Sequence, residues 1–590
     1  MANNSDNIDL VPDFNNHSFM GDTCLIPNMD KTDGNRGVMA ANAVQQALIP
    51  AKGYGEAPSV FSRFENQIAE YGAMIQRTTE PMLVFKIFKE NELNQTYILQ
   101  GKISKIVSTF QVKQGYTFTE KYGYQQLNDI LKYNVGDVIP KDTIISRSTA
   151  FDEIGNYNYG FNLLAAYIPW EGLTFEDPFV VSRSAANRMS HSYHYTVDVP
   201  LNSNDVIKNL LGTDGEFKGF ADIGEDIQNG ILCAIARINY DNIATCSDKN
   251  LSQVNDDDDV YYANGTVVKI EVFSNLEDEE KLKKYKYYNQ INKYYTQNNI
   301  NRDNLVKVCK ILKSKGHKMS DDINYMLAMD ELKNNRVNAK GGVGLPWEYN
   351  DNKFDTFVLR FTILETKHAY IGSKITCRYG DKGVISKILP DDQMPMLPDG
   401  RRLDIIINPG CVMNRIIIGT LYEHELNFVS DRLIHFMNKY HVDDSCGQKL
   451  EAYLEAFLKN VSTEQYEFLM DNVIPDIANC EEYWKYITEH GMNIHQAPFH
   501  DNINKDAMFS LYEYMEDLYS TVDEDFLFTL EGIDQPIVVA NKFFIKLKHE
   551  TSTKLSCRNA GNISTMKGIP NKNNIAFKKH KARFSTNPVR

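Results

Sequence analysis

The stretch from Ser373 to Lys387, SKITCRYGDKGVISK, constrains this chain more than any other. Lys374, Arg378 and Lys382 recur at steps of four, which on a helix would form one basic stripe. Gly380 and Gly383, with the β-branched Ile375, Thr376, Val384 and Ile385, argue against a helix. The pattern predicts strand, glycine-containing loop, strand. In that geometry the glycines let backbone approach a ligand closely and the cations converge on it. Phosphate is the natural partner, because Lys and Arg supply charge-assisted donors. Spacing alone leaves an exposed basic surface open as the alternative.

That cluster stands out against a formal net charge of −15. The charge is unevenly placed. Residues 441–540 carry 21 Asp/Glu against 4 Lys/Arg, a net of −17. Residues 541–590 carry 12 Lys/Arg against 1 acid, a net of +11, and make a candidate phosphate-contacting surface. Within them NKFFIKLKHE alternates apolar and polar residues as a strand does. At 590 residues, 42% of them hydrophobic, the chain has material for three or four domains. No apolar run approaches a membrane span, and MANNSDNIDLVPDF lacks the blocks of a signal peptide. The nine cysteines include no CxxC pair, which speaks against zinc and against a disulfide framework. The expectation is a soluble protein of a reducing compartment.

Residues 1–60 read as loops with one helical stretch, VMAANAVQQALI. Strand-like runs (PMLVFKIF, TYILQGKI, NLLAAYIPW, FVVS) follow to about residue 190. A second β-rich block ends in NGTVVKIEVF, and residues 276–334 have a charged helical pattern. Strands return in TFVLRFTILE and DIIINPG; residues 420–530 look helical and acidic. The run NDDDD, Asn255 to Asp259, is expected to be a solvated loop.

Beyond the opening stretch, GDKGVISKILPDDQMPMLPDGRRLDIIINPGCVMNRIIIGTLYEHEL, Gly380 to Leu426, resembles the large β subunit of cellular multisubunit RNA polymerases. That family carries a GDKxxxRHGNKGVISK run, a methionine-and-proline loop, a DI-x-x-NP strand and a GVPSRMNIG turn, in this order. LLAAYIPWEGLTFEDPFVVS (Leu163 to Ser182) resembles its VAFMPWNGYNFEDS element, and DGNRGVMAANAVQQALIP (Asp33 to Pro50) its DANRALMGxNMQRQAVP segment. ADIGEDIQNGILCAIARI and NGTVVKIEVF are similar to flap-domain strands, and KLKHETSTKLSCRNAG (Lys546 to Gly561) to KLNHLVDDKMHARSTG.

The resemblance implies an α+β, β-rich fold: a double-psi β-barrel, hybrid-binding core with an inserted flap domain and helical insertions. The expected division is 1–60 nucleotide- and hybrid-contacting; 61–190 first part of the barrel core; 191–345 flap-like with a helical tip at 276–334, a docking place for an initiation factor; 346–430 second part of the core with the basic loop; 431–535 acidic and helical; 536–590 basic and hybrid-binding. The resemblance leads one to expect the N-terminal half of β and the segment following KARFS on other chains. The chain is therefore expected to be the C-terminal half of a β subunit encoded in pieces, as in jumbo bacteriophages. Abundant Asn, Lys, Ile and Tyr, typical of an AT-rich genome, fit that source. The location would be the cytoplasm of an infected bacterial host or the virion.

Roles carry over residue by residue. Lys374 and Lys382 match the catalytic lysines facing the RNA 3′ end. Arg36 and Arg415 match arginines that grip the incoming triphosphate; Glu176 and Asp177 match an acidic pair near the second metal, reached through water. Asn42, Gln46, Arg378, His549, Lys554 and Arg558 match residues near hybrid or template, with Arg378 also bracing the loop. Mg2+ would be held mainly by a β′-like chain, since no NADFDGD-type loop occurs here, so the chain alone is expected to be inactive; zinc is not expected. Expected partners are a β N-terminal-half chain, β′-like chains, a promoter-specificity factor, template DNA, RNA and nucleoside triphosphates, with no membrane. The rival reading is a non-catalytic nucleic-acid-binding or assembly protein that keeps the fold. The family wording is altered in places: Asp381 stands where GNKG has asparagine and is expected to pair with Lys382, Tyr379 replaces a histidine, CVMNR loses the proline before Arg415, and Ser556 replaces a histidine.

Overall fold

The structure, a computed structural model, describes residues 18–554 except 72–74, 92, 110–122, 154, 202–204, 214–215, 239–254, 275–286, 338–347, 350–351, 354–355, 500–502, 504 and 531. Arg558 therefore lies outside the described residues.

Six strands close into a barrel: β1 (Phe161–Tyr167), β2 (Phe179–Ser182), β3 (Ser373–Cys377), β4 (Lys382–Leu389), β5 (Ile405–Ile407) and β6 (Val539–Glu550). Their order around it is β1-β5-β2-β4-β3-β6. The pairs β1–β5 and β2–β4 are parallel and the others antiparallel. The runs FVVS and III are apolar without alternation because both of their faces are covered. Phe161, Leu163, Ala165, Phe179, Val181, Ile405 and Ile407 join one core. Leu164, Ala166, Val180 and Ile406, one residue out of phase, join a second. The period of two thus sorts each strand between two hydrophobic clusters.

The second cluster is shared with the acidic helices. The long helix α3, Gly419–Tyr440, given this label with α1 (Gly34–Gln45) and α2 (Gly410–Arg415), lies along β6. Leu426, Val429 and Leu433 of α3 pack with Leu454, Trp484 and Leu511 from the helices that follow. The described residues of 426–540 therefore share one continuous core with the barrel strands, and their acids are exposed or half-buried.

The helices Tyr287–Ser314 and Asp321–Val337, expected as a flap tip, are docked. Val306, Cys309, Leu312, Ile323 and Leu327 bury against Ile98 of the sheet Met82–Lys89, Gln95–Gln100, Ile103–Ser108. Lys318–Met319 pairs in parallel with Ile103 and Ser104. The acidic run Asn255–Asp259 is not a loop: it lies in the strand Asn255–Tyr262, paired with Ile231–Ile238.

Strand β6 forms where alternation predicts it, but its lysines do not face water. Lys542 and Lys546 are 0% and 1% exposed, because the closed barrel covers both sides of the strand. Lys546 sits 3.3 Å from Glu550 and donates to His191 Nδ1 at 3.0 Å. Burial pushes Lys546 down to about 8, and burial with the adjacent Lys546 keeps His191 well below its ordinary value.

Arg378 is also interior. It is 0% exposed, bonds Glu423 of α3 at 3.0 Å and lies 5.0 Å from the Phe543 ring centroid. It lies beneath the loop, tied to α3 and away from the protein surface, where an exposed nucleic-acid contact was expected. Removing one partner of such a buried pair leaves the other charge uncompensated. Glu423→Gln is therefore expected to lower unfolding stability by about 3–5 kcal/mol in chemical denaturation. A loss below about 1 kcal/mol, the range of exposed pairs, would show that the pair does not brace the loop.

Candidate nucleotide and nucleic-acid site

Strands β3 and β4 form the hairpin that the opening stretch predicts. Thr376 lies opposite Lys382 and Lys374 opposite Val384, so Lys374 and Lys382 are diagonal neighbours on one face. Each glycine admits a different neighbour. Gly380 has φ of 89°, and a Cβ there would come within 2.9 Å of the Arg36 carbonyl oxygen, so α1 rests directly on the loop. A Cβ on Gly383 would lie 1.8 Å from the Asp177 carbonyl oxygen. The loop between β1 and β2, which carries Glu176 and Asp177, crosses β4 at that point.

Glu176 is held with φ of 64° by Asn408, whose side-chain amide donates to the Glu176 carbonyl at 3.0 Å. Asn408 also accepts from Gly410 N–H at 2.9 Å, at the start of α2. Arg415 ends α2, and Ile416 turns the chain in the left-handed region (φ 52°), an uncommon conformation for a β-branched residue. The Ile416 carbonyl accepts from Asp33 N–H at 3.1 Å, joining this turn to the start of α1. Arg415 ion-pairs with Asp177. The stiffening that a proline would give is supplied instead by Asn408 and the Ile416 turn.

Glu176, Asp177, Lys382 and Arg415 line one small cleft, with Asp381, Asn408 and Cys411. Lys374 is half-buried at its edge; its pKa is lowered by burial first, then by Lys382 and Lys554. His549 is lowered by burial and by Lys554, Lys374, Lys548 and Lys382, and bonds Gln46 through Nε2 at 2.9 Å. These mutual effects group Lys374, Lys382, Lys548 and Lys554 around His549, whose protonation they disfavour. Arg36 does not line the cleft; its backbone abuts Gly380 and its side chain contacts Met39 Sδ at 3.3 Å. Asn42 is exposed on α1, and Gln46 caps that helix.

Asp381 does not pair with Lys382. It is 1% exposed and binds the buried Lys542 at 3.2 Å. Burial alone would lower Lys542, but Asp381 and Tyr167 beside it more than offset this and hold it protonated. With Asp177 on Arg415 and Asp381 on Lys542, both acids nearest Lys382 are engaged elsewhere. Among the described residues Lys382 is then the lining cation that makes no ion pair, and so a charge-assisted donor open to a phosphate. Among the described residues no group of three or more His, Cys, Asp or Glu is placed to hold a metal ion. Of the three carboxylates lining the cleft, Glu176 and Asp177 are exposed, and Asp177 is shared with Arg415.

Comparison with known families matches residues 99–574 to RNA polymerase Rpb2, domain 6. The chain belongs to that family. It is an RNA polymerase β-type chain, similar at 23% identity over 559 residues to the DNA-directed RNA polymerase subunit beta of Prochlorococcus marinus strain MIT 9312, covering 93% of this chain and 41% of the relative. It is 24% identical over 554 residues to that of strain MIT 9515, at the same shares of 93% and 41%. The subunit from Helicosporidium sp. subsp. Simulium jonesii is 23% identical over 476 residues, 68% of this chain and 36% of the relative. The chain spans less than half the length of these curated relatives.

Sequence reading of this β-type chain missed Asn408, Cys411 and Lys542. The Asn-Pro step in DIIINPG marks a turn, which is the one signal that Asn408 gave. Lys542 gave none, since alternation cannot say which side of a closed sheet is covered.

Lys374 titrates below the ordinary lysine range, so its ε-amine is expected to acylate at lower pH than exposed lysines do. Lys382→Ala removes a like charge and favours the protonated form, moving the Lys374 midpoint upward. The pH profile of labelling, read by mass spectrometry, checks this. An unmoved midpoint would separate the two lysines.

Proposed function

We propose that this chain is a subunit of a DNA-dependent RNA polymerase and that its cleft binds the RNA 3′ end and the incoming triphosphate. The observation that carries the reading is the meeting of Glu176, Asp177, Lys382 and Arg415, drawn from separated segments, in one cleft beside Lys374. The barrel is read as the double-psi type, which its mixed parallel and antiparallel pairing supports. The 22–24% identities, together with the altered motif wording, favour a lineage far from cellular enzymes, such as the split-gene phage type; the host cytoplasm or the virion would then be its location.

Phosphoryl transfer is mainly positioning and charge neutralisation. Lys374 and Lys382 hold phosphates of the RNA end against the cleft. Arg415 takes oxygens of the triphosphate with its planar fork, exchanging Asp177 for the ligand, and Arg36 approaches from α1. Magnesium, held mainly by a β′-like partner, supplies Lewis-acid polarisation of the reacting phosphate. Asp177, once released, would be a carboxylate able to help hold such an ion. His549, Lys554 and Gln46, with Asn42 on the same helix, continue the polar track toward a hybrid. A β N-terminal-half chain and a promoter-specificity factor complete the proposed assembly. Among the described residues no helix is long and apolar enough to cross a membrane.

The test is co-expression with β′-like and β N-terminal-half chains. RNA synthesis is expected from the complex and not from this chain alone. Lys382→Ala should assemble normally and extend RNA about 100-fold more slowly, the scale of removing one transition-state donor. Synthesis by the lone chain would refute the proposal. Unchanged extension by the assembled variant would favour the rival, a non-catalytic nucleic-acid-binding or assembly protein.

A further inference from the structure

Lys542 is a buried cation that the polymerase reading does not use. It lies on β6 opposite Leu163 of β1, 0% exposed, directly under the floor of the cleft. Its ammonium group touches four elements at once. It meets Asp381 of the β3–β4 loop at 3.2 Å, donates to Thr420 Oγ1 of α3 at 2.5 Å and to the Tyr167 hydroxyl at the end of β1, and lies 5.8 Å from the Phe544 ring centroid. Asp381 is the residue immediately before Lys382, and its other oxygen accepts from Cys377 N–H at 3.2 Å, closing the loop across its base. Both Asp381 and Lys382 line the cleft. The backbone that aims Lys382 is thus tied on its inner side to a charge anchored by β1, β6 and α3.

We propose that Lys542 is a positioning residue: its buried pair with Asp381 fixes the loop that presents Lys382 to phosphate, and the two charges work as one compensated unit. The inference rests on reading the cleft as a phosphate site. It also accounts for an acid next to a phosphate-binding lysine. Exposed there, Asp381 would compete with phosphate for Lys382. Buried and matched to Lys542, it orders the loop while leaving Lys382 available. A buried ion is tolerated only with such a partner, so either residue alone is disruptive, whereas a neutral pair of similar size is not.

The experiment uses the full chain, inorganic pyrophosphate as probe, and acetylation of Lys382 by acetic anhydride read by mass spectrometry. Folding is checked by circular dichroism. Pyrophosphate is expected to protect Lys382 in the natural chain. Lys542→Met and Asp381→Asn should each raise the pyrophosphate concentration needed for half-protection about tenfold, about 1.4 kcal/mol. The double substitution Asp381→Asn with Lys542→Met should return to within about threefold of the natural chain, because no unpaired buried charge remains. Tyr167→Phe keeps both charges, is expected to fold, and should weaken protection about threefold by releasing one contact of the ammonium. No protection in the natural chain would end the phosphate reading of the cleft and this inference with it. Protection in the natural chain that persists unchanged in folded Lys542→Met, or in Tyr167→Phe should the charge variants not fold, overturns the positioning role alone. Failure of the double variant to recover overturns the compensation.

Discussion

The cleft depends on a missing side chain. At Gly383 the loop bearing Asp177 crosses the barrel wall so closely that a Cβ would stand 1.8 Å from a carbonyl oxygen. Any other residue would push the loop outward and carry Glu176 and Asp177 away from Lys382. Gly380 does the same for α1 on the other side of the hairpin, adding a positive φ that only glycine adopts without strain. Between these approaches the three walls, the β1–β2 loop, the hairpin and the turn ending α2, are brought to one place from positions far apart in the chain. Asn408 and the left-handed Ile416 then lock the third wall, one by hydrogen bonds and the other by a conformation that packing must sustain.

Charge inside this barrel serves arrangement more than stability. Arg378 with Glu423 and Lys542 with Asp381 are fully desolvated, and burying such pairs seldom gains free energy over apolar residues of the same size. What each pair does is tie the β3–β4 loop to the helix and strands behind it. Lys382, in contrast, is exposed and, among the described residues, makes no ion pair. The loop therefore has a paired interior side and an unpaired cleft side, which is the polarity that a phosphate site requires.

Much of this was legible in the residues. The β-branched residues and glycines of Ser373–Lys387 specify a hairpin over a helix, and the hairpin is there. A helix was readable at Val38–Ile49 and lies at Gly34–Gln45, and the strand read at Asn541–Glu550 starts at Val539. Side was not. Alternation says which residues share a face, but in a closed barrel under a helical layer both faces are covered, so Lys542, Lys546 and Arg378 read as surface cations and are interior. The same blindness applied to Asn255–Asp259, where the pairing of a neighbouring strand outweighs the poor strand propensity of aspartate. The helices of 287–337 were found, but their docking on Ile98 depends on shape complementarity between distant segments, which no local pattern encodes.

The acidic helices complete the electrostatic picture. Their apolar faces are spent on the barrel core, leaving a strongly negative outer surface on the chain that also carries the cationic cleft. A polyanion approaching this chain is repelled by the first and attracted by the second. At physiological salt each field extends only about 8 Å, so the repulsion acts as a boundary beside the cleft and not as a global penalty. A single basic surface would bind nucleic acid anywhere along it. Keeping a net of −17 in residues 441–540, a stretch of chain separate from Lys374, Lys382 and Arg415, leaves those cations to act as a local attraction for phosphate.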